Sequence, residues 1–357
     1  MFNSLKNWYG KYERPVSSLS LVGGFVFDAL TLKRVDTFWE NFWVLGHIVL
    51  IAVLMILVHT VENKEGDEAN PEKLHFWLVN ALQFVFGGVL SVFLVFYFRS
   101  GDIAVSWPFI LILALAFWAN ESMKRHFVRL TFQVSLFFLS LLSCAIFLVP
   151  VLVHSIGVLV FLVSLVVSVV FMILFLYVLA FASGEKYGKS RTPIIFSIVT
   201  ICAVTSILYF TNLIPPIPLS LKESGAYHFV GKTKDVYTAS YENLGWKSFF
   251  TIYPTIHVNS DGVYAYSAVF SPTSFNTTIL HVWQYYDESS NKWIDSLTVP
   301  LQVVGGRDGG FRTYSLNNTL SAGKWRVNVE TSRGQVIGRI RFKVVSGDVP
   351  SLKTKVL

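Results

Sequence analysis

The sequence is poor in charged residues and in cysteine. Only 14% of its 357 residues are charged, compared with about 25% in soluble globular proteins, and 53% are hydrophobic. The two cysteines, Cys144 and Cys202, lie in apolar stretches, which excludes a disulfide framework and a cysteine-based zinc site. Residues 1–16 lack the basic start and apolar core of a secretory signal, so no cleavable signal peptide is expected.

Long apolar stretches dominate the first 213 residues. A bilayer core takes about 20 apolar helical residues to cross, and a helix satisfies its own backbone groups in hydrocarbon. Six stretches are candidates, of which the third is shorter than the others: residues 42–60, 76–98, 103–118, 130–149, 155–182 and 193–213. The sequence therefore predicts a bundle of six transmembrane helices joined by short polar links.

A shorter apolar segment precedes these six. Residues 19–32 read LSLVGGFVFDALTL and contain an acidic residue, Asp28. The segment is short for a full span, so two interpretations stand: an interfacial or re-entrant segment, or a seventh, short span packed against the bundle. Lys33 and Arg34 follow closely and are the expected ion-pair partners of Asp28.

The basic residues near the span ends predict the orientation, because cytoplasmic links carry an excess of Lys and Arg. With six spans, one side holds eight of them: Lys64, Lys73, Lys124, Arg125, Arg129, Lys186, Lys189 and Arg191. The other side holds three: Lys33, Arg34 and Arg99. The C-terminal region is therefore expected outside the cytoplasm, in a cell membrane protein, under either interpretation of residues 19–32.

The pattern changes after residue 213. Residues 214–218 read IPPIP, which ends the last helix and predicts a stiff linker. The expected organisation is an N-terminal interfacial or re-entrant segment (1–41), the helical bundle (42–213), a proline-rich linker (214–222) and a β-sandwich domain (223–357). The last 141 residues carry 15 basic and 10 acidic residues, a mild excess that is not typical of nucleic-acid binding.

Alternating polar and apolar residues predict strands in the C-terminal region. In residues 324–330, Trp325, Val327 and Val329 fall on one face, and residues 339–344 alternate in the same way. The turn at 331–334 joins the two strands into a hairpin. Further strands are expected near residues 249–258, 262–270, 277–286 and 296–304, which gives about seven to nine strands and a β-sandwich.

The C-terminal region also resembles a known family. It contains HVW at 281–283, GGRDGGFRTYS at 305–315, GKWRV at 323–327 and GQVIG at 334–338; GFVFD at 24–28 with Arg34 and Asp36 resembles the N-terminal part. These motifs are similar to those of uncharacterised bacterial multi-pass membrane proteins with a C-terminal domain of unknown function. The resemblance implies a bacterial envelope protein. It implies no activity and no functional residues.

Candidate ligand or partner residues lie on three features of the β-region: His281, Trp283 and Tyr285 on one strand face; Arg307 and Asp308 in a glycine-rich stretch; Arg326, Arg339 and Arg341 on the last hairpin. The aromatic face is either sandwich core or a platform for a sugar or peptide. The glycine-rich stretch is either a turn or a ligand loop, and it lacks the Lys-Ser/Thr and following helix of a phosphate loop. If Glu330 pairs with Gln335, Arg326 lies opposite Arg339, an unfavourable contact that water, Glu330 or an anion relieves.

Polar residues in the apolar segments are the remaining candidates, because polar groups are costly in a bilayer. They are Asp28, His47, Asn80, Gln83, Asn120 and Gln133. They either hydrogen-bond between helices or line a path for substrate or protons.

The sequence favours a non-enzymatic membrane protein that anchors an extracytoplasmic binding domain, with the lipid bilayer and an envelope protein, a glycan or an anionic lipid headgroup as partners. The alternative is a small-solute transporter or channel using Asn80, Gln83 and Gln133, and a membrane enzyme comes third. No catalytic constellation, cofactor motif or metal-ligand pattern occurs in the sequence.

Overall fold

The computed structural model describes residues 23–32, 38–63, 71–122, 129–234, 236–242, 251–258, 262–273 and 275–357. The chain forms two compact units. The helical unit comprises residues 1–98 and 107–213, and the β-unit comprises Arg99–Ser106 together with Ile214–Leu357. The short link 99–106 therefore belongs by its contacts to the β-unit.

Seven helices are described, of which six are long and apolar enough to cross a membrane. They are α1 (23–31), α2 (Phe38–Asn63), α3 (Pro71–Arg99), α4 (Ile103–Ser122), α5 (Leu130–Val153), α6 (Val158–Ser183) and α7 (Glu185–Phe210). All six predicted spans are confirmed, and most of the helices are a few residues longer than the apolar stretches that predicted them.

Helix α5 is the most buried span of the helical unit. Its Phe137 ring packs against Phe175 of α6 with ring centroids 4.6 Å apart. In α6, Phe161 stacks on Tyr209 of α7 at 3.8 Å. Helices α6 and α7 leave many large apolar side chains exposed, as expected for surfaces that face lipid.

Helix α1 comprises only nine described residues, about 13 Å of helix, which is shorter than a bilayer core. It packs on α3 and α4: the Ser91 hydroxyl donates to Asp28 Oδ2 at 2.6 Å, and Phe25 contacts Phe117 with centroids 6.2 Å apart. The expected partners Lys33 and Arg34 lie outside the described residues. The observed partner of Asp28 is a neutral hydroxyl within the helical unit.

The sequence predicts short polar links between the spans, such as residues 184–191 between the fifth and sixth, but this link is helical from Glu185 onward. Only Gly184 interrupts the helices, with a φ of +51°, and α7 begins at Glu185. Glu, Lys and Arg are good helix formers, so charge did not end the helix. Pro193 is accommodated inside α7, where it removes one backbone hydrogen bond.

The β-unit contains eleven described strands, two more than the highest number expected: β1 (Ser220–Tyr227), β2 (Phe229–Thr233), β3 (Val236–Glu242), β4 (Thr255–Val258), β5 (Val263–Phe270), β6 (Thr277–Asp287), β7 (Lys292–Val303), β8 (Phe311–Asn317), β9 (Gly323–Thr331), β10 (Val336–Ser346) and β11 (Leu352–Val356). Strand β1 begins inside the range predicted as linker, and Ile214, Ile217 and Leu219 before it are buried.

Three sheets form the β-unit. The central sheet has the order β1-β5-β8, the five-stranded sheet β4-β10-β9-β6-β7, and the terminal sheet β11-β3-β2. Pairing is antiparallel except between β4 and β10. The central and five-stranded sheets form a sandwich, and Trp283 and Phe342 pack in its core with ring centroids 6.1 Å apart.

The terminal sheet covers the back of the central sheet. Tyr227, Val230, Ala239, Tyr266 and Ala268 form a second small core there. Strand β5 is therefore buried on both faces: Ser267 bonds to the five-stranded sheet, whereas Tyr266 faces the terminal sheet. The sequence predicted a sandwich of two sheets, and the structure contains a third sheet.

The hairpin register differs from the predicted one. The expected faces are confirmed, since Trp325, Val327 and Val329 are buried. However, Glu330 pairs with Val336 rather than Gln335, and a β-bulge between Val336 and Gly338 adds a further residue. Arg326 consequently lies opposite Arg341, and Arg339 lies opposite Asn328. A bulge moves every later pair along the strand, and alternation alone does not reveal it.

Candidate functional site

The outer surface of the five-stranded sheet carries three half-buried arginines. Arg326 projects from β9, and Arg339 and Arg341 project from the adjacent strand β10. We call Arg326, Arg339, Arg341, Gln284 and Asp102 the arginine face. Directly opposed like charges on a sheet destabilise it unless other groups compensate them.

Asp102 compensates two of these arginines. Its Oδ2 lies 3.2 Å from Arg341 Nη2, and its Oδ1 lies 3.6 Å from Arg339 Nη1. The Asp102 side chain is 9% exposed, against 14% for Arg339 and 28% for Arg341. Arg339 Nε also donates to Asn328 Oδ1 at 2.8 Å. One shielded carboxylate therefore serves two guanidinium groups.

Asp102 is positioned by the link between α3 and α4. It is the residue before α4, and its Oδ1 accepts a hydrogen bond from the Ala104 backbone N–H at 3.1 Å, in the manner of a helix N-cap. Its own N–H donates to the Val336 carbonyl at 3.4 Å. The same carboxylate thus caps a helix and balances the arginines.

Arg326 has neutral partners. Its Nε donates to Gln284 Oε1 at 2.6 Å, and its guanidinium lies over the Trp293 ring, 4.2 Å from the centroid. Among the described residues, the ion pairs of the arginine face involve Arg339 and Arg341 and leave Arg326 out. Burial and repulsion from Arg339 lower the pKa of Arg326 to about 10, so it remains cationic at neutral pH. The electrostatic potential at Arg326 is therefore suited to an anion.

The aromatic-platform hypothesis is wrong for His281 and Trp283, because both side chains are fully buried in the sandwich core. Their strand face points inward, which is why alternation alone could not distinguish a core from a surface. Tyr285 is partly exposed and packs against Trp325, 5.7 Å away.

His281 belongs to a buried polar network. Its Nε2 lies 2.8 Å from Ser267 Oγ and its Nδ1 lies 2.9 Å from Ser315 Oγ, while Trp283 Nε1 donates to Ser315 Oγ at 3.0 Å. Burial lowers the pKa of His281 to about 4, so the imidazole is neutral at neutral pH. The serine–histidine contact lacks solvent access and holds the two sheets together.

Arg307 and Asp308 lie in the turn between β7 and β8, and both are exposed. Gly306 and Gly310 have φ values of +95° and +84°, which favour glycine. At Gly305, a Cβ would stand 1.7 Å from the Pro272 carbonyl oxygen, so a close backbone approach requires this glycine. The turn therefore explains three of the four glycines of this stretch, and nothing in the structure requires Gly309.

A second cluster, around Glu242, was not predicted from the sequence. Its Oε1 accepts a hydrogen bond from the His257 backbone N–H at 2.6 Å and lies 2.8 Å from His228 Nε2; its Oε2 lies 2.8 Å from His257 Nδ1. Burial opposes ionisation of Glu242, but the hydrogen bonds from His257 and His228 outweigh it and lower its pKa. The cluster ties β3 to β4.

In the described part of the chain, no group of three His, Cys, Asp or Glu side chains is arranged to hold a metal ion.

Most predicted polar residues of the helical unit hydrogen-bond to helix backbones. Gln83 Nε2 donates to the Asn120 carbonyl at 2.8 Å, and Asn120 Nδ2 donates to the Gln83 carbonyl at 3.0 Å, which joins α3 to α4. Asn80 donates to the Phe76 carbonyl of its own helix, and His47 Nδ1 lies 2.8 Å from the Trp43 carbonyl oxygen. The Gln83–Asn120 contacts thus join two helices, whereas those of Asn80 and His47 lie within their own helices.

Gln133 is different because it contacts a buried histidine that sequence reasoning missed. Its Oε1 lies 2.9 Å from Nε2 of His59, and both side chains are almost fully buried. His59 Nδ1 faces Glu62, and Glu62 pairs with Lys186 of α7. The i, i+3 spacing of His59 and Glu62 at the end of the first span was the available signal, but the predicted span ended before Glu62.

Comparisons with known proteins match one part of the chain. Residues 276–344, from β6 into β10, match the family model described as a protein of unknown function (DUF2914). An uncharacterised domain therefore lies in the C-terminal region, and it includes Arg326, Arg339 and Arg341 but not Asp102.

No curated protein matches the chain significantly. Among solved structures, the Pseudomonas fluorescens alkylpurine DNA glycosylase AlkC, bound to DNA containing an abasic site analog, aligns at 10% identity over 84% of this chain and 97% of that chain. Its TM-score is 0.23, which is too low to support an argument about fold or function.

Proposed function

We propose that this chain is a non-enzymatic bacterial cell membrane protein whose helical unit anchors an extracytoplasmic binding domain, the β-unit, and that the arginine face binds an anionic group of an envelope component. The observation that carries the proposal is the half-buried cluster of Arg326, Arg339 and Arg341, in which Asp102 pairs with two of the arginines and Glu330 is a further carboxylate nearby. Carboxylate and phosphate groups are the ligands that guanidinium groups bind best.

The orientation rests on two observations. Eight basic residues near the span ends fall on the side opposite the β-unit, whereas three fall on its own side, an asymmetry that favours an extracytoplasmic β-unit. With six spans, the link 99–106 and the end of α7 emerge on the same side of a membrane. The link 99–106 and the residues that follow α7 from Ile214 onward belong to one compact unit, which agrees with that parity.

The ligand class follows from the charges around Arg326. Gln284 and Trp293 hold its guanidinium group in place without neutralising it. A pre-organised arginine loses little side-chain entropy when it binds, and stacking on an aromatic ring leaves the guanidinium edge available for an oxyanion. An anion beside Arg326 also relieves its repulsion with Arg339.

A binding measurement on Arg326→Gln tests the proposal. The full chain in zwitterionic nanodiscs is titrated with inorganic phosphate, with vesicles containing phosphatidylglycerol and with polygalacturonate. We expect at least one probe to bind, and Arg326→Gln to weaken that binding about tenfold or more, because a charge-assisted hydrogen bond contributes about 1.5–3 kcal/mol. Binding is also expected to weaken as salt is raised.

Lys353→Gln is the matched control, because Lys353 is an exposed cation on β11, away from the five-stranded sheet. It removes the same charge and is expected to leave binding unchanged. Binding by the vesicles alone identifies a lipid headgroup, and binding by the polysaccharide alone identifies an acidic glycan. No binding of any probe, or equal losses in the two variants, would contradict the proposal.

A further inference from the structure

Four side chains form a chain of polar contacts inside the helical unit. His59 and Gln133 lie at its buried end, with side-chain exposures of 1% and 0%. Gln133 Oε1 lies 2.9 Å from His59 Nε2, His59 Nδ1 lies 3.1 Å from Glu62 Oε2, and Lys186 Nζ lies 2.6 Å from Glu62 Oε1. Glu62 and Lys186, at the other end, are 28% and 34% exposed. The contacts thus lead from the end of the bundle to a buried imidazole.

The ring nitrogens of His59 face more hydrogen-bond acceptors than a neutral imidazole can satisfy. Both of its ring nitrogens face oxygen atoms, the Gln133 amide oxygen and the Glu62 carboxylate. A neutral imidazole has only one N–H to donate, so it cannot satisfy both contacts. A charged imidazolium donates to both of them.

The alternative state needs only one rotation. If His59 keeps its Nδ1 hydrogen for Glu62 and loses the one at Nε2, rotating the Gln133 amide by 180° brings its NH₂ group to the bare nitrogen. Amide and imidazole groups exchange donor and acceptor roles in this way without moving the backbone. In either protonation state, the contact between His59 Nε2 and the Gln133 amide therefore pairs one donor with one acceptor.

We propose that His59 is an exchangeable proton-binding site within the bundle, with Gln133 as the partner that adapts to both protonation states and Glu62 with Lys186 as its connection to the aqueous end. The ligand is a proton, and its uptake changes the charge of the buried end by one. Buried ionisable groups in spanning helices mark proton and ion sites in membrane proteins. This site is independent of the arginine face.

The described charged groups around His59 come from two helices. Glu62 belongs to the same helix, and Lys186 projects from α7. Helix α5 contributes the neutral Gln133, and the sequence of α6 contains no Asp, Glu, Lys, Arg or His. Glu185 and Lys189 form an exposed pair with each other. Among the described residues, the charged groups that act on the proton affinity of His59, in addition to its burial and its contact with Gln133, are the ammonium of Lys186 and the carboxylate of Glu62.

Nitrogen-15 NMR of the histidine rings tests the proposal. The full chain is labelled with ¹⁵N-histidine, placed in lipid nanodiscs and followed from pH 5 to pH 9, and the His59 signals are identified by their loss in His59→Gln. We expect them to convert reversibly between imidazole and imidazolium shifts. In Glu62→Gln the conversion is expected to move by at least one pH unit toward lower pH, a tenfold loss of proton affinity, because the imidazolium loses its counter-charge.

His47→Gln is the control, since His47 lies on the same helix and its described partners, chiefly Trp43, do not include Gln133, Glu62 or Lys186. It is expected to leave the His59 conversion in place. Gln133→Met, which keeps the volume and removes the amide, is expected to shift the conversion by a comparable amount. If Gln133→Met fails to fold, Glu62→Gln still tests the proposal, because Glu62 is partly exposed. A His59 ring that keeps one protonation state from pH 5 to pH 9, or a conversion unchanged in Glu62→Gln, would overturn the proposal.

Discussion

Asp102→Asn is expected to destabilise the β-unit by about 3 kcal/mol. The substitution leaves Arg339 and Arg341 without their shared carboxylate in a shielded site, and breaking a buried ion pair typically costs 3–5 kcal/mol. The lower end applies here because Arg341 is partly exposed. Asparagine is as good an N-cap as aspartate, so the helix cap at Ala104 is retained and the loss reports the charge. Urea-dependent pulse proteolysis of the full chain in nanodiscs measures the effect.

Glu223→Gln is the control for Asp102→Asn. Glu223 pairs with Lys355 at 3.3 Å, but both side chains are about 40% exposed. Exposed ion pairs contribute less than about 1 kcal/mol, so a small effect is expected. Equal effects of the two substitutions would show that the arginines do not depend on Asp102. Adding Arg341→Gln to Asp102→Asn is expected to restore part of the stability, because it removes one uncompensated charge.

Acidification from pH 7 to pH 4 is expected to lower the stability of the β-unit by about 3 kcal/mol through His281 alone. The pKa of His281 is about 4 in the folded protein and about 6.5 in an unfolded chain. Between these values the unfolded state binds the proton and the folded state does not, so unfolding becomes more favourable as the pH falls. The contribution of His281 to the stability of the β-unit is complete above about pH 6.5 and is lost once the pH is below about 4.

His281→Gln separates this effect from other acid effects. Glutamine fills a similar position and does not titrate, so the variant is expected to be less stable at pH 7 but to lose less stability between pH 6.5 and pH 4. Pulse proteolysis in urea at several pH values gives the two curves. Parallel curves for the wild type and His281→Gln would show that His281 does not carry the pH dependence. The lowered pKa of Glu242 produces a further loss in the same direction at lower pH.

The sequence predicted those features of the fold that depend on local periodicity. The apolar stretches identified six spans, and alternation placed Trp325, Val327 and Val329 on the buried face of β9. The third sheet could not be predicted from alternation, because β5 is covered on both faces and therefore has no polar face. The hairpin register was wrong because Glu330 pairs with Val336 rather than Gln335 and because the bulge after Val336 adds one further residue.

The candidate sites could be predicted only in part. Arg326, Arg339 and Arg341 were identified from one hairpin, but the counter-charge Asp102 is more than 230 residues away in sequence, and its role depends on tertiary structure. The same holds for His59 and Gln133, which are 74 residues apart, and for Glu242 with His228 and His257. Long-range pairs of single polar residues leave no pattern in one sequence.

Cysteine accessibility tests the central claim, an extracytoplasmic binding unit on a membrane bundle, most directly. In a variant with Cys144 and Cys202 replaced by alanine, Glu288→Cys places a thiol in the exposed turn between β6 and β7, and Lys189→Cys places one at the opposite end of the predicted topology. A membrane-impermeant maleimide is expected to label Glu288→Cys in intact cells and Lys189→Cys only after lysis. Labelling of Lys189→Cys in intact cells, with Glu288→Cys protected until lysis, would contradict the account.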